Sequence, residues 1–180
     1  FHRGAVDADG KTGDGAGIHL EIPSDFFTEK IELTGHKHDG SEICIGMIFL
    51  PRNNYEAQEN ARTLVESELT KSNFNIYGWR QVPVNTKVLG EKANFTRPEI
   101  TQVLFKNNDK NLIGKKLERK LYESRRKMEK EAIKNALEGF YICSLSSKSI
   151  IYKGMFLAES ISDFYIDLQD ERFVSRYAIF

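Results

Sequence analysis

The chain has 180 residues, of which 40% are hydrophobic and 29% are charged, a balance typical of one globular domain. Lysine and arginine together number 26, as do aspartate and glutamate, so the charge gives no reason to expect nucleic acid or an anionic membrane as partner. The longest apolar runs, such as ICIGMIFL at 43–50, are shorter than the roughly 18 residues that suggest a membrane span, and no secretory signal pattern is visible. We therefore expect a single cytoplasmic domain.

Apolar spacing predicts strands and helices that alternate along the chain. Strands are expected at 17–22, 43–50, 74–83 and 100–105, and a short helix capped by Ser24 is expected after the first of them. Apolar residues at helical spacing predict two longer helices, at 54–71 and 113–137. The segments 140–145 and 149–155 read as an antiparallel pair joined by a turn at SSK. The pattern as a whole predicts an α+β fold.

The first 17 residues contain five glycines and three carboxylates, at Asp7, Asp9 and Asp14. The segment DADGKTGD resembles a calcium loop only at its start, because Thr12 and Ile18 stand where the glycine and the bidentate acid are required. The later G-x-G-x-G runs into a strand and not into a helix N-terminus, which disfavours a dinucleotide site. The glycines therefore leave two interpretations open, a tight connection beneath a sheet edge or direct contact with a ligand.

Two pairs of residues are candidates for metal ligands or nucleophiles. His36 and His38 alternate beside Asp39 and could share a metal, although the flanking glycines favour a surface turn. Cys44 and Cys143 lie in apolar strands without metal-ligand spacing, and no histidine follows His38 to act as a base for Cys143. Both thiols are therefore predicted to be reduced core residues, and no metal site is predicted.

The helix predicted from 113 is rich in basic residues. Between positions 115 and 134 it has nine lysines and arginines against four glutamates, which makes the binding of nucleic acid or of an acidic partner a candidate function. Only Tyr122 could stack on a base, and the rest of the chain has no basic excess, so a solvated outer face is favoured.

Several motifs resemble the class II glutamine amidotransferases, and among them the glutamate synthase family. They are HRG at 2–4 followed by GDGAGI at 13–18, then YGWRQVPVN at 77–85, RPEITQV at 97–103, LERKLYESRRKMEKE at 117–131, FYICSLSSKSIIYKGM at 140–155 and FYIDLQDERFVS at 164–175. The match runs from His2 to the last residues. The resemblance implies part of an N-terminal-nucleophile (Ntn) hydrolase αββα layer sandwich, with residues 1–180 forming a partial amidotransferase domain truncated at both ends.

The same resemblance implies that the catalytic groups lie outside these residues. The family's nucleophile is an N-terminal cysteine whose α-amine is the general base, and it is expected upstream of Phe1. The arginine that holds the substrate carboxylate belongs to a H-x-RFST segment expected just after Phe180. Within the chain, the resemblance assigns only active-site support, to Arg3 and Gly15.

As a function, the resemblance implies the ammonia-releasing glutaminase domain of an enzyme that makes glutamate from glutamine and 2-oxoglutarate. FMN and an iron–sulfur cluster are expected on other domains of the parent, together with the remaining domains and a small electron-supplying subunit as partners. The fragment alone is expected to be inactive. The alternative is a non-catalytic amidotransferase-like module used for subunit contact.

Overall fold

A computed structural model describes residues 6–180, and in this range the chain forms two antiparallel β-sheets, with the two longest helices packed against one of them. The strands are β1 (Ala16–Glu21), β2 (Ile43–Leu50), β3 (Phe74–Gln81), β4 (Glu99–Asn107), β5 (Tyr141–Ser146), β6 (Ser149–Gly154) and β7 (Ala178–Ile179). The α-helices are α1 (Ser24–Glu32), α2 (Tyr55–Lys71), α3 (Glu91–Thr96), α4 (Gly114–Lys134) and α5 (Ile161–Phe164). Across residues 6–180, no helix combines the length and the apolar character that a membrane crossing needs.

The larger sheet has the strand order β3-β4-β2-β5 and all its neighbouring strands are antiparallel. Its strands and the two long helices follow one another as β2-α2-β3-β4-α4-β5, which is the β-α-β-β-α-β arrangement of ferredoxin-like folds. Both helices bury their apolar stripes on one face of this sheet, where α2 contributes Val65 and Leu69 and α4 contributes Leu121 and Met128. The large sheet and its two helices therefore form one compact unit.

The smaller sheet has the order β6-β1-β7 and packs against the free face of the larger one. Along β2 the side chains alternate, so Ile45 and Met47 face the small sheet whereas Cys44 and Ile48 face the helices. Strand β2 is buried on both faces, which explains its unbroken apolar sequence. The α+β prediction is confirmed. In the chain, the unit formed by the large sheet and its two helices lies between β1 and β6, which pair directly with each other.

The predicted hairpin at 140–155 is wrong. Strand β5 pairs with β2 in the large sheet, whereas β6 pairs with β1 in the small sheet, so the SSK segment carries the chain from one sheet to the other. Ser147 Oγ lies within hydrogen-bond distance of carboxylate oxygens of both Glu42 and Glu118 at this crossing, and Ser146 Oγ accepts from two following backbone amides. A short polar turn between two strands predicted the hairpin, but long-range pairing decided the sheet to which each strand belongs.

The remaining element predictions are confirmed within a few residues, with one exception at a helix cap. Ser24 is the first residue of α1 and the capping position is occupied by Pro23, which has no side-chain cap. Asn54 does cap α2, because its side chain accepts a hydrogen bond from the Ala57 amide.

Candidate functional site

The glycine-rich segment folds into a small hairpin that precedes β1. Val6 bridges Gly13, the Asp7 amide donates to the Thr12 carbonyl at 2.8 Å, and Gly10 turns the chain with a φ of 68°. A positive φ of this size suits glycine, since a side chain there would strain the backbone. Arg3, which the resemblance assigns to site support, lies outside the described residues.

The carboxylates of this segment are used within the protein. Asp9 Oδ1 accepts hydrogen bonds from the amides of Lys11 and Thr12, and Oδ2 accepts from the Thr12 hydroxyl at 2.6 Å. These bonds, led by the one from Thr12 Oγ1, lower the pKa of Asp9. Asp7 accepts from the Ala8 amide and pairs with Lys92 at 3.3 Å. Among the residues that the structure describes, no group of three acidic, cysteine or histidine side chains could hold a metal.

The hairpin docks against the start of α3. A Cβ placed on Gly90 would collide with the carboxylate of Asp9 and the hydroxyl of Thr12, so these two side chains lie directly on the Gly90 backbone. A Cβ on Gly13 would lie 2.8 Å from the Phe156 carbonyl oxygen. Glycine at these two positions therefore allows the hairpin to lie close both to α3 and to the segment after β6.

Gly15 requires glycine for a different reason. Its φ of 129° lies in the region that side chains rarely adopt, although a Cβ there would be 3.6 Å from its nearest neighbour, the Gly154 carbonyl oxygen. The backbone conformation, and not a lack of space, therefore selects glycine at this position.

A cavity of about 500 Å³ lies where the hairpin, the end of β6 and the α3–β4 corner meet. Its apolar lining comes from both sheets and from the connections between them: Ala16, Phe49, Leu89, Ala93, Ile100, Ile151, Met155, Phe156 and Phe164. Gly15 and Gly17 form part of the wall, and the charged side chains on it are Asp14, Arg97 and Lys153. A concave, mostly apolar pocket with a few charged groups is the usual form of a ligand site.

The α3–β4 corner contains an unusual cation. Arg97 Nε is buried and has no hydrogen-bond acceptor among residues 6–180. The side-chain oxygen of Asn94 is also buried, and it has no hydrogen-bond donor in the same range. Burial, and then the positive charge of Arg52, lower the pKa of Arg97, while Glu99 opposes the shift. Arg52 itself is held in place, because its guanidinium donates to the backbone carbonyls of Asn94 and Phe95.

Both cysteines are buried, as predicted. Cys44 is fully buried in the core beneath the helices, and burial raises the pKa of its thiol far above the usual range. Burial also raises the pKa of Cys143 to about 11, and its Sγ donates to the Ile151 carbonyl at 3.4 Å. Such thiols are protonated at neutral pH and are weak nucleophiles.

The histidine pair lies in a surface turn. Gly35 and Gly40 flank it with φ values of 83° and 78°, and His38 Nε2 lies 2.9 Å from the Ser41 carbonyl oxygen. His36 contacts the Thr34 hydroxyl. The pair therefore lies in the predicted surface turn.

The basic face of α4 is solvated and paired within the helix. Arg125 and Arg126 both contact Glu129, and Arg119 contacts Glu123 one turn away. These pairs use two of the four glutamates of the helix, and the exposed side chains agree with the predicted outer face.

A buried polar network between the sheets was not predicted from the sequence. Arg80 donates to both carboxylate oxygens of Asp167, and to the side-chain oxygen of Gln102 at 2.7 Å. The Tyr152 hydroxyl lies between them, accepting from Gln102 and donating to Asp167. Burial raises the pKa of Tyr152 well above its usual value. The only sequence signal was that Arg80 and Asp167 belong to two of the specific motifs, YGWRQVPVN and FYIDLQDERFVS.

Comparison with known proteins identifies the family. The model of the class II glutamine amidotransferases matches residues 1–180. The chain therefore belongs to the class II glutamine amidotransferases.

Several proteins that are similar to the chain over its length are glutamate synthases. The chain is 52% identical over 180 residues to the glutamate synthase [NADPH] large chain of Azospirillum brasilense, covering all of this chain and 12% of that protein. It is 36% identical over 180 residues to ferredoxin-dependent glutamate synthase 2 of Synechocystis, and 38% identical over 181 residues to ferredoxin-dependent glutamate synthase 1 of Arabidopsis thaliana. In each of the last two, the match covers 99% of this chain and 11% of the relative. The chain thus spans about an eighth or a ninth of the length of these relatives.

Proposed function

We propose that the chain is part of the glutaminase domain of a glutamate synthase, and that the cavity beside Gly15 is part of its active site. The family match and the glutamate synthase relatives support the domain assignment. The 180 residues are then a partial domain, completed by sequence on both sides. This assignment is favoured over a non-catalytic module because the similarity to glutamate synthases extends over the whole chain.

The register of β7 on β1 supports the location of the site. His19 pairs with Ile179 and Leu20 pairs with Ala178, so each residue further along β7 lies opposite one earlier residue of β1. The family's H-x-RFST segment is expected directly after Phe180, and its arginine is the third residue of that continuation. If the pairing continued in the same register, this arginine would lie opposite Gly15, which lines the cavity. The register of β7 on β1 is the observation that supports this location.

The layer arrangement is compatible with an Ntn-hydrolase sandwich to which a unit has been added. The small sheet β6-β1-β7 is then part of the sandwich, and the ferredoxin-like unit from β2 to β5 is an addition between two of its adjacent strands. This explains why β1 and β6 pair residue for residue although the whole large sheet separates them along the chain.

In the proposed mechanism the residues of this chain position groups and do not react. The nucleophilic cysteine, upstream of Phe1, attacks the amide carbon of glutamine, ammonia leaves, and water hydrolyses the thioester to give glutamate. Gly15 holds the turn at the site mouth, and Asp9 and Thr12 fix the hairpin on Gly90. Arg3 is assigned support of the same site. Cys44 and Cys143 take no part, because their buried thiols stay protonated.

The redox groups of glutamate synthases are assigned to other domains. An iron–sulfur cluster needs several cysteine ligands. The chain has two cysteines, which lie in the two separate cores, and no ligand group is formed within residues 6–180. The described residues therefore do not fit such a cluster, and the proposed role of this chain involves neither the cluster nor FMN. A cytoplasmic location and an electron-supplying subunit remain parts of this proposal.

The test is to express the chain alone and together with the sequence that flanks it in its gene. The longer protein should release ammonia from glutamine and lose this activity when its N-terminal cysteine is changed to serine. The 180 residues alone should release none above the blank. Glutamine hydrolysis by the short chain would contradict the assignment of the nucleophile, and a longer protein without any N-terminal cysteine would favour the non-catalytic module.

A further inference from the structure

The cavity beside Gly15 has an uneven charge. Two of the three charged side chains on its wall are cations, Arg97 and Lys153, and one is an anion, Asp14. The ammonium group of Lys153 is engaged by Tyr141, whose hydroxyl it contacts at 2.6 Å and whose ring it covers. Lys153 is thus partly engaged, whereas the side chain of Arg97 forms no hydrogen bond or ion pair with another residue of 6–180.

The buried Nε–H of Arg97 lacks an acceptor among residues 6–180. A buried donor without an acceptor costs free energy, and each such group in a protein calls for an explanation, of which a bound water, ion or ligand is one. Its neighbour Arg52 adds a second positive charge, and Glu99 is the acidic group that opposes it. Arg52 donates to two backbone carbonyls of α3, just before Arg97 in the chain. Because the Nε atom is covered, a ligand in the cavity meets the terminal nitrogens of the Arg97 guanidinium.

The surroundings limit the chemistry of that acceptor. A guanidinium binds carboxylates through short, charge-assisted hydrogen bonds, whereas the rest of the wall is aliphatic and aromatic. A cavity of about 500 Å³ has the size of sites for small organic molecules. A carboxylate on an aliphatic body satisfies both features.

We propose that Arg97 is a carboxylate-binding residue of this cavity, and that its ligand is an organic acid with an aliphatic chain. The inference rests on the proposed function only in placing the cavity beside the glutaminase site, where the arginine of the H-x-RFST segment is still expected to hold the carboxylate of the substrate. The carboxylate comes either from a free ligand or from an acidic side chain of the flanking sequence in the longer protein. Both sources present the same chemistry to Arg97.

The test is isothermal titration of hexanoate, with hexanol as the uncharged analogue of the same body. It is carried out on the 180-residue chain and on the longer protein, each as the native sequence and as Arg97→Met, which keeps the aliphatic stem and removes the guanidinium. Hexanoate should bind the native chain more tightly than hexanol does, and Arg97→Met should weaken hexanoate about tenfold or more with little effect on hexanol. Arg97→Lys should restore part of the affinity.

Arg119→Met is the matched control, because Arg119 is an exposed arginine on the outer face of α4. It removes the same charge and should leave hexanoate binding unchanged. Arg97-dependent binding in both proteins identifies a free acid as the ligand, and binding in the short chain alone identifies an acidic side chain of the flanking sequence. Equal binding of hexanoate to native and Arg97→Met proteins, or equal loss in Arg119→Met, would overturn the inference.

Glutamine hydrolysis by the longer protein separates the two proposals. Hydrolysis without Arg97-dependent carboxylate binding refutes the role of Arg97 and leaves the glutaminase assignment standing. Arg97-dependent binding without hydrolysis refutes the glutaminase assignment and leaves the carboxylate site standing.

Discussion

Arg80 and Asp167 form a two-point ion pair in the core, with both N–H···O distances at 2.8 Å. Arg80 lies on β3, and Asp167 lies in a single turn of 3₁₀ helix after α5, so the pair fastens the C-terminal part of the chain to the large sheet. The side chain of Asp167 is only 3% exposed. A buried pair with good geometry is expensive to break, since the remaining charge has no replacement partner.

Asp167→Ala should therefore lower the free energy of unfolding by about 3 to 5 kcal/mol. Urea denaturation followed by circular dichroism measures the loss. Asp163→Ala, which removes an exposed carboxylate four residues away, should change it by less than about 0.5 kcal/mol. The double variant Arg80→Met, Asp167→Ala should be more stable than the sum of the single effects predicts, because no charge is left unpaired. Additive losses would show that the pair contributes no coupling.

A second prediction concerns the contact of Asp9 and Thr12 with Gly90. The backbone of Gly90 has a φ of −70°, which alanine adopts easily, so any cost of Gly90→Ala comes from the collision and not from strain. We expect a loss of about 1 to 3 kcal/mol, as for other overpacked sites. In the Asp9→Ala background the same substitution should cost less, because part of the obstacle is gone. A cost that is equal in both backgrounds, measured by urea denaturation, would mean that the hairpin does not rest on α3.

The sequence predicted the individual elements well because each follows from a local pattern. Stretches of strand-forming residues predicted β3 and β4, and apolar residues at mostly four-residue steps, such as Leu117, Leu121 and Met128, predicted α4. The cap at Asn54 is also local, since it involves residues three apart, but it was not among the predictions.

Long-range relationships could not be predicted in this way. The division of β5 and β6 between two sheets depends on β2 and β1, which are distant along the chain. The link between Arg80 and Asp167 spans 87 positions and has no local signature. The candidate cavity likewise forms from segments that meet only after folding, and so Arg97 had no signal beyond its place in the motif RPEITQV.

A third prediction concerns stability at low pH. Hydrogen bonds from Lys106 first, and then from Ser41, hold the pKa of Asp39 well below the usual aspartate value of 3.8. A depressed folded-state pKa gives stability that is fully present above the unfolded pKa and is lost as the pH falls below it. Asp39→Asn should therefore lower the melting temperature between pH 5 and 7, and the difference from the native protein should shrink as the pH falls below about 3.8.

The expected effect of Asp39→Asn is small, because the carboxylate is half exposed and solvent screens the ion pair. Glu171→Gln is the control, since Glu171 is an exposed carboxylate near the C-terminus. Its melting difference from the native protein should stay near zero over the same pH range. A difference for Asp39→Asn that grows on acidification would reverse the sign and contradict the assignment.

The last prediction separates the structural from the catalytic role of the two cysteines. Serine at either position places a hydroxyl in an apolar core, which should cost about 1 to 3 kcal/mol. Cys143→Ser should cost less than Cys44→Ser, because a hydroxyl can donate to the Ile151 carbonyl as the thiol does. In the longer protein, the rate of glutamine hydrolysis per folded molecule should be nearly unchanged in both variants, since neither thiol is ionised at neutral pH. Ammonia release and thermal melting are measured on the same samples, so a loss of folded protein is distinguished from a loss of turnover. If Cys143→Ser abolished hydrolysis with an unchanged melting temperature, Cys143 would be the nucleophile, and the reaction would take place within these 180 residues.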